Sequence, residues 1–173
     1  MLFSQIRQPS TKYLAVPEVS SQNRKYIPIG FLTPDIIASN KLYLVPNADL
    51  YMFGIMTSNV HMAWMRVIAG RLKSDYSYSP AVYNNFPWPT PTDEQKAKIE
   101  QTSQAILDAR DLYPDASLAD LYDPATMPPE LVKAHQENDK AVMRAYGFDI
   151  KTTTESSCVA ELMRRYQGLM EEA

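Results

Sequence analysis

The chain contains little cysteine, glycine or histidine, and each scarcity excludes a class of chemistry. A single cysteine, Cys158, in 173 residues excludes an internal disulfide and a zinc site built from cysteines. Five glycines, none in a G-x-G pattern, leave no phosphate-binding loop and no fingerprint for a dinucleotide, ATP or S-adenosylmethionine. His61 and His135 have no partner at metal-ligand spacing, so we interpret them as structural.

Long apolar runs and a strong net charge are also absent. No run of about 18 apolar residues is present, which predicts no membrane span. The N-terminal stretch MLFSQIRQPS lacks the apolar core of a signal peptide, which predicts a cytoplasmic location. The net charge of −3 divides unevenly, as +4 over residues 1–90 (eight Lys or Arg, four acids) and −7 over residues 91–173 (nine and sixteen). The basic half can face a polyanion, whereas the acidic half would repel one over most of its surface.

Short apolar runs that end at prolines predict strands between residues 10 and 52. From Tyr51 the apolar spacing changes to three and four, which predicts a short helix followed by a longer one. The longer helix is predicted to begin after an N-cap at Ser58 and to end near Arg71. Its predicted inner face consists of Met62, Met65, Ile68 and Leu72.

The second half of the chain predicts helices joined by short connections. The predicted helices span about residues 92–112, 129–146 and 154–171, with Thr92 as the first cap and Gly147 after the second helix. We therefore predict an α+β fold. A small mixed β/helical domain is predicted at residues 1–90, and an all-α helical bundle is predicted at residues 91–173.

The stretch from Ser58 to Pro89 carries the candidate chemistry. Its segment from Arg71 to Tyr78 combines cationic, carboxylate, hydroxyl and aromatic groups, the groups that read base edges and hold phosphates. Three prolines restrict the backbone around this segment, which we predict to be a held loop closed by the burial of Phe86 and Trp88. The same composition is typical of a scaffolding loop, so composition alone leaves both interpretations open.

No set of residues in the sequence forms a catalytic constellation. The acidic pairs Asp108/Asp111 and Asp120/Asp123 are interpreted as a solvated helix face and turn caps. The tetrapeptide at residues 84–87, Asn-Asn-Phe-Pro, differs from the Asn-Pro-Pro-Tyr motif of amino-methyltransferases. No proline directly follows its first asparagine, so we reject it as a catalytic motif.

Several segments of the sequence are long enough to indicate a specific protein family. They are RKYIPIGFL (24–32), ASNKLYLVP (38–46), SNVHMAWMRVIAGRLKSDY (58–76), GRLKSDYSYS (70–79), VYNNFPWP (82–89) and SLADLYDPATMPPELVKAHQENDKAV (117–142). They resemble the C-terminal part of MmeI-like DNA adenine methyltransferases, which join endonuclease, methyltransferase and target recognition in one polypeptide of a restriction–modification system. The resemblance covers roughly residues 12–148.

The resemblance implies a target-recognition domain followed by a C-terminal helical domain. The implied function is sequence-specific recognition of double-stranded DNA for a type II (adenine-N6) methyltransferase. In that family the segment after the long helix helps to read bases, which here implies Arg71, Lys73, Ser74, Asp75 and Ser77. Second-choice phosphate contacts are Arg24 and Lys25.

The chain departs from the family pattern because it contains neither the Asn-Pro-Pro-Tyr motif nor a nuclease motif. The chain by itself is therefore not predicted to be an enzyme, and S-adenosylmethionine is expected to bind in the absent catalytic domain. The expected partners are duplex DNA and that methyltransferase domain. The alternative is a protein-interaction module that docks onto a methyltransferase or another partner subunit through the methionine-rich helix and the acidic bundle.

Overall fold

The computed structural model describes residues 8–171, which contain six short strands and seven helices. The strands are β1 (Tyr13–Pro17), β2 (Val19–Ser20), β3 (Gly30–Leu32), β4 (Leu42–Pro46), β5 (Gly70–Leu72) and β6 (Asp75–Ser77). The helices are α1 (Leu50–Met56), α2 (Asn59–Ile68), α3 (Pro80–Asn84), α4 (Asp93–Asp111), α5 (Leu118–Leu121), α6 (Pro129–Ala145) and α7 (Glu155–Glu171). The predicted α+β class is confirmed. Residues 1–7, part of the stretch from which the absence of a signal peptide was predicted, lie outside the described residues.

Two small antiparallel sheets form in the first half of the chain. The strand order is β3-β1-β4 in one sheet and β2-β6-β5 in the other. β1 and β2 are separated only by Glu18, so the chain passes directly from one sheet to the other. In β1 the four residues from Tyr13 to Val16 are all buried, and Leu14 and Val16, which lie on one face of the strand, belong to the hydrophobic core.

The long helix begins where predicted but ends earlier. The Ser58 side chain caps α2 by accepting a hydrogen bond from the His61 N–H at 3.3 Å. The helix ends at Ile68, and residues 70–72 form β5 instead of a last helical turn. The predicted inner face is therefore correct for Met62 and Met65, which are buried, and for Ile68, which is half-buried against the core. It is wrong for Leu72, which is 57% exposed.

The three predicted helices of the second half are confirmed as α4, α6 and α7. α4 begins with a capping box in which Thr92 and Gln95 satisfy each other's backbone N–H groups. α6 is followed by Gly147 at a φ of +78°, a left-handed conformation that glycine adopts without steric cost. Within the described residues no helix is long and apolar enough to cross a membrane.

One hydrophobic core joins the two halves of the chain. α4 packs against both α6 and α1, and α7 packs against α2. Trp64 of α2 is fully buried, its indole N–H donates to the Val82 carbonyl at 2.9 Å, and its ring lies 5.9 Å from that of Tyr166 in α7. Phe86 is also buried, as predicted, and Trp88 is half-buried. The helices of the second half therefore support the first half directly, and the boundary at residue 90 stays a prediction.

The backbone of α1 approaches the second half of the chain closely at Gly54. A Cβ atom at this position would lie 2.7 Å from Cγ2 of Ile99 and closer still to the hydroxyl oxygen of Ser103. The Gly54 carbonyl accepts a hydrogen bond from the Asn138 side-chain amide at 2.8 Å. The absence of a side chain at residue 54 thus allows α1 to contact α4 and α6 together.

Buried polar side chains connect α4, the turn after α5, and α6. The Arg110 guanidinium donates to the Ile29 carbonyl at 2.8 Å and to the Tyr122 hydroxyl at 3.0 and 2.5 Å. The Tyr122 hydroxyl lies 2.6 Å from Nε2 of His135. Burial, together with the Arg110 charge, lowers the pKa of His135 to about 3, so the imidazole is neutral at pH 7.

A second buried group links the loop before β3 to α6 and α2. The Asp139 carboxylate accepts from the Tyr26 hydroxyl at 2.6 Å and from the Asn59 backbone N–H at 2.8 Å. Burial raises the pKa of Asp139 to about 6 in spite of these hydrogen bonds. The Tyr26 ring also stacks on the His135 ring at a centroid distance of 4.1 Å, so the two polar clusters are adjacent.

Replacement of Gly54 by alanine is expected to lower the free energy of unfolding by about 1–3 kcal/mol, because the methyl group overlaps with α4. The matched control is Gly168→Ala in α7, where an added Cβ atom meets nothing within 4 Å. This control is expected to raise the free energy of unfolding by about 0.5–1 kcal/mol through helix propensity. Denaturation by urea measures both values, and equal effects at the two glycines would contradict the packing described for Gly54.

The free energy of unfolding is expected to decrease as the pH falls from about 6.5 to about 4. Burial lowers the folded-state pKa of both His61 and His135 to about 3, and in the unfolded chain a histidine has a pKa of about 6.5. Each therefore takes up a proton on unfolding in this range and contributes about 1.4 kcal/mol per pH unit. Asp139, with a raised pKa, contributes in the opposite direction below pH 6, but the two histidines outweigh it.

The variant His61→Gln isolates one of these contributions. The slope of the free energy of unfolding against pH is expected to decrease by about 1.4 kcal/mol per pH unit, measured by urea denaturation between pH 4 and 6.5. An unchanged slope would show that His61 is not held neutral in the folded state.

Candidate nucleic-acid interface

The segment predicted to be a polar loop is a β-hairpin. β5 pairs with β6 with Leu72 opposite Asp75, so Lys73 and Ser74 form a two-residue turn. The loop prediction was wrong because β6 also pairs with β2, which is far away in the sequence. Of the five residues nominated in this segment, Arg71, Lys73 and Ser74 are exposed, and Asp75 and Ser77 are half-buried.

Lys73 has an unusual backbone conformation at the tip of the hairpin. Its φ is +57°, in the left-handed region that glycine favours, and this conformation costs an ordinary L-residue about 1–2 kcal/mol. Its side chain is exposed and makes no hydrogen bond or ion pair within residues 8–171. The turn thus presents a positive charge on a strained backbone position, and strained backbone positions are common at functional sites.

Arg71 stabilises the same turn with part of its guanidinium group. The guanidinium carbon lies 3.9 Å from the centroid of the Tyr76 ring, on the neighbouring strand. One N–H group also donates to the Ser74 carbonyl at 2.9 Å. An exposed cation–π contact of this kind stabilises by about 0.5–1 kcal/mol. Arg71 therefore supports the hairpin while its remaining N–H groups stay available to a ligand.

The base of the hairpin is held in the protein core. The side chains of Tyr76 and Tyr78 are buried, and the Tyr78 hydroxyl lies 2.9 Å from Nε2 of His61 in α2. The Tyr78 N–H donates to the Glu18 carbonyl at 2.7 Å, next to β2. A buried base and an exposed tip give the hairpin a fixed orientation relative to the rest of the fold.

Arg24 and Lys25 do not join the hairpin in one cluster. Arg24 is half-buried and lines a cavity of about 350 Å³ on the sheet formed by β1, β3 and β4, next to α5. Lys25 is exposed, lies 5.5 Å above the Tyr26 ring, and lines a different cavity between α2, α6 and α7. The side chains of Arg24 and Lys25 therefore line two different cavities, and neither cavity includes a residue of the hairpin.

The sequence reasoning missed two residues that the fold places beside the hairpin. Gln22 and Asn23 form a turn directly after β2, and the Gln22 backbone N–H donates to Oδ1 of Asp75 at 3.3 Å. These residues were overlooked because Gln22 and Asp75 lie 53 positions apart in the chain. Only the pairing of β2 with β6 reveals their proximity, and no local sequence pattern signals it.

The remaining acidic residues considered as catalytic candidates have local structural roles. The Asp120 carboxylate accepts from the Ser117 hydroxyl and backbone N–H, and these hydrogen bonds lower the pKa of Asp120. Asp123 accepts from the Ala125 N–H at 2.8 Å. The prediction that these two residues cap turns is confirmed. Across residues 8–171, no group of three or more His, Cys, Asp or Glu side chains is placed to hold a metal ion.

Comparisons with known proteins agree on one family. The family model described as the MmeI target recognition domain matches residues 1–90, and that of the MmeI C-terminal domain matches residues 91–172. DNA methyltransferase A of Bacillus subtilis (strain 168) is 46% identical over 139 residues, which make up 79% of this chain and 16% of that protein. The structure of the type IIL restriction-modification enzyme MmeI in complex with DNA matches with a TM-score of 0.91 and 50% identity, over 96% of this chain and 22% of that chain. This chain thus spans less than a quarter of the length of either relative.

Replacement of Lys73 by glycine is expected to leave the fold intact and to raise the free energy of unfolding by up to about 1 kcal/mol. The reason is that glycine adopts the positive φ of this turn without strain. The same substitution at the exposed Lys133 in α6 is the control, and it is expected to lower the free energy of unfolding by about 1 kcal/mol. Urea denaturation compares the two variants, and a large loss of stability in Lys73→Gly would contradict the described turn.

Proposed function

This chain belongs to the MmeI family, and on that premise we propose that it reads the sequence of double-stranded DNA for a restriction-modification methyltransferase. The observation that carries the proposal is the β5–β6 hairpin. It has a buried base, an exposed tip and, at Lys73, a positive charge with no hydrogen-bond or ion-pair partner among residues 8–171. A two-stranded ribbon of this kind fits into the major groove, which is about 12 Å wide.

The nominated residues supply complementary chemistry for this role. Lys73 and the free N–H groups of Arg71 can donate to guanine or to phosphate, and the Asp75 carboxylate can accept from cytosine N4 or orient a cation. The hydroxyl groups of Ser74 and Ser77 can act as donors or acceptors to either kind of base edge. Each well-formed base contact discriminates by about 1–3 kcal/mol.

The charge distribution supports contact through the first half of the chain. Residues 1–90 have a net charge of +4, whereas the helices that follow are acidic and pack against α1 and α2 of the first half. We assign target recognition to residues 1–90 and structural support to residues 91–173. Arg24 and Lys25 remain second-choice phosphate contacts, because their side chains line cavities that contain no residue of the hairpin.

The activity of the parent enzyme is part of the proposal and is assigned to regions outside this chain. Within residues 8–171 both sheets are antiparallel and no glycine-rich turn between a strand and a helix lies at a sheet end, so these residues do not fit S-adenosylmethionine. We assign that cofactor, and methylation of adenine at N6, to a catalytic domain of the parent polypeptide, the expected protein partner. We expect this chain alone to have no enzymatic activity and the parent to act in the cytoplasm.

Selection from a pool of random DNA duplexes tests the proposal. The chain is expected to enrich a short site, and its affinity is expected to fall as the salt concentration rises, because phosphate contacts release counterions. Lys73→Gly is expected to lose discrimination at one base pair or, if Lys73 contacts phosphate, to reduce the salt dependence by about one unit in the log–log slope.

The control for this experiment is Lys133→Ala, which removes a positive charge from the exposed face of α6. It is expected to retain the enriched site and the salt dependence of the unsubstituted chain. Failure to enrich any site at low salt would contradict the proposal. Tight binding of a methyltransferase domain without DNA affinity would favour the protein-interaction alternative.

A further inference from the structure

Two turns project from the same end of the sheet formed by β2, β6 and β5. β2 pairs antiparallel with β6, with Ser20 opposite Tyr76. The last residue of β2 therefore lies at the same end of the sheet as the first residue of β6, which follows the hairpin turn. The turn after β2 and the turn at Lys73 and Ser74 are consequently neighbours at one edge of the fold.

The turn after β2 is well defined and displays two amide side chains. The Ser21 carbonyl accepts from the Arg24 N–H at 3.1 Å, and the Ser21 hydroxyl accepts from the Asn23 N–H at 3.3 Å. Gln22 and Asn23 occupy the two central positions and are exposed. Among residues 8–171, neither side-chain amide has a hydrogen-bond partner.

Asp75 connects the two turns. Its Oδ1 atom accepts from the Gln22 backbone N–H at 3.3 Å, and Asp75 itself directly follows the hairpin turn. This hydrogen bond uses the backbone of Gln22, so the side-chain amide stays free. The position of the Gln22–Asn23 turn is thereby set relative to Lys73.

We infer that Gln22 and Asn23 are specificity-determining residues that read base edges next to those contacted by the hairpin. The inference rests on the proposed function. Asn and Gln amides donate and accept together, which matches the N6 and N7 atoms of adenine. Neighbouring strands lie about 4.8 Å apart and stacked base pairs about 3.4 Å apart, so the two turns reach positions within about three base pairs of each other.

Selection from random duplexes by Gln22→Ala and Asn23→Ala tests this inference. At least one variant is expected to lose about tenfold in base preference at a position within about three base pairs of that affected by Lys73→Gly. If Lys73 contacts phosphate, Lys73→Gly changes no base preference and gives no reference position. The loss of base preference in Gln22→Ala or Asn23→Ala is then still expected at a single base pair. The thermal unfolding midpoint is expected to stay unchanged, because the backbone hydrogen bond to Asp75 is retained. The control is Gln136→Ala, which removes an exposed amide from α6 and is expected to retain every base preference.

The outcomes separate this inference from the proposed function. Unchanged base preferences in both variants, or a uniform loss of affinity for all sequences, would overturn the inference while the enriched site of the unsubstituted chain stands. A lower unfolding midpoint together with lost preference would assign Gln22 and Asn23 a structural role and would also overturn it. No enrichment by the unsubstituted chain would instead refute the proposed function.

Discussion

The hydrogen bonds of the buried Arg110 side chain hold the architecture together. In the part of the chain that the structure describes, the guanidinium group has no carboxylate partner. It donates to the Ile29 carbonyl and the Tyr122 hydroxyl and lies about 5 Å from the rings of Phe53 and Tyr122. A buried charge is costly unless its hydrogen bonds are satisfied, so its position is restricted to one arrangement. Because the Ile29 carbonyl belongs to the first half of the chain and Arg110 to the second, this restriction fixes the two halves relative to each other.

The same restriction extends to the proposed DNA-reading surface. Tyr26 is held by its hydrogen bond to Asp139 and by stacking on His135, both on α6. Residues 26 to 29 are thus fixed against the helices, and only Arg24 and Lys25 separate them from the Gln22–Asn23 turn. The helices of the second half therefore hold the residues that follow the turn.

Much of the fold could be predicted because helix ends depend on local chemistry. The caps at Ser58 and Thr92 and the break at Gly147 each follow from the residue itself and its near neighbours. Residues 70–77 were assigned incorrectly because helical apolar spacing continues to Leu72, whereas pairing with β2 decides the conformation. The same non-local pairing places Gln22 beside Asp75, so half of the candidate surface could not be inferred from sequence patterns.

The separation between a buried base and exposed tips has a consequence for evolution. Tyr76 and Tyr78 pack in the interior, but Lys73, Gln22 and Asn23 extend into solvent and support no part of the core. Mutations at these tips can accumulate at little expense to folding, whereas mutations at the tyrosines cannot. Descendants of such a protein can therefore diverge in what they bind while their scaffold is conserved.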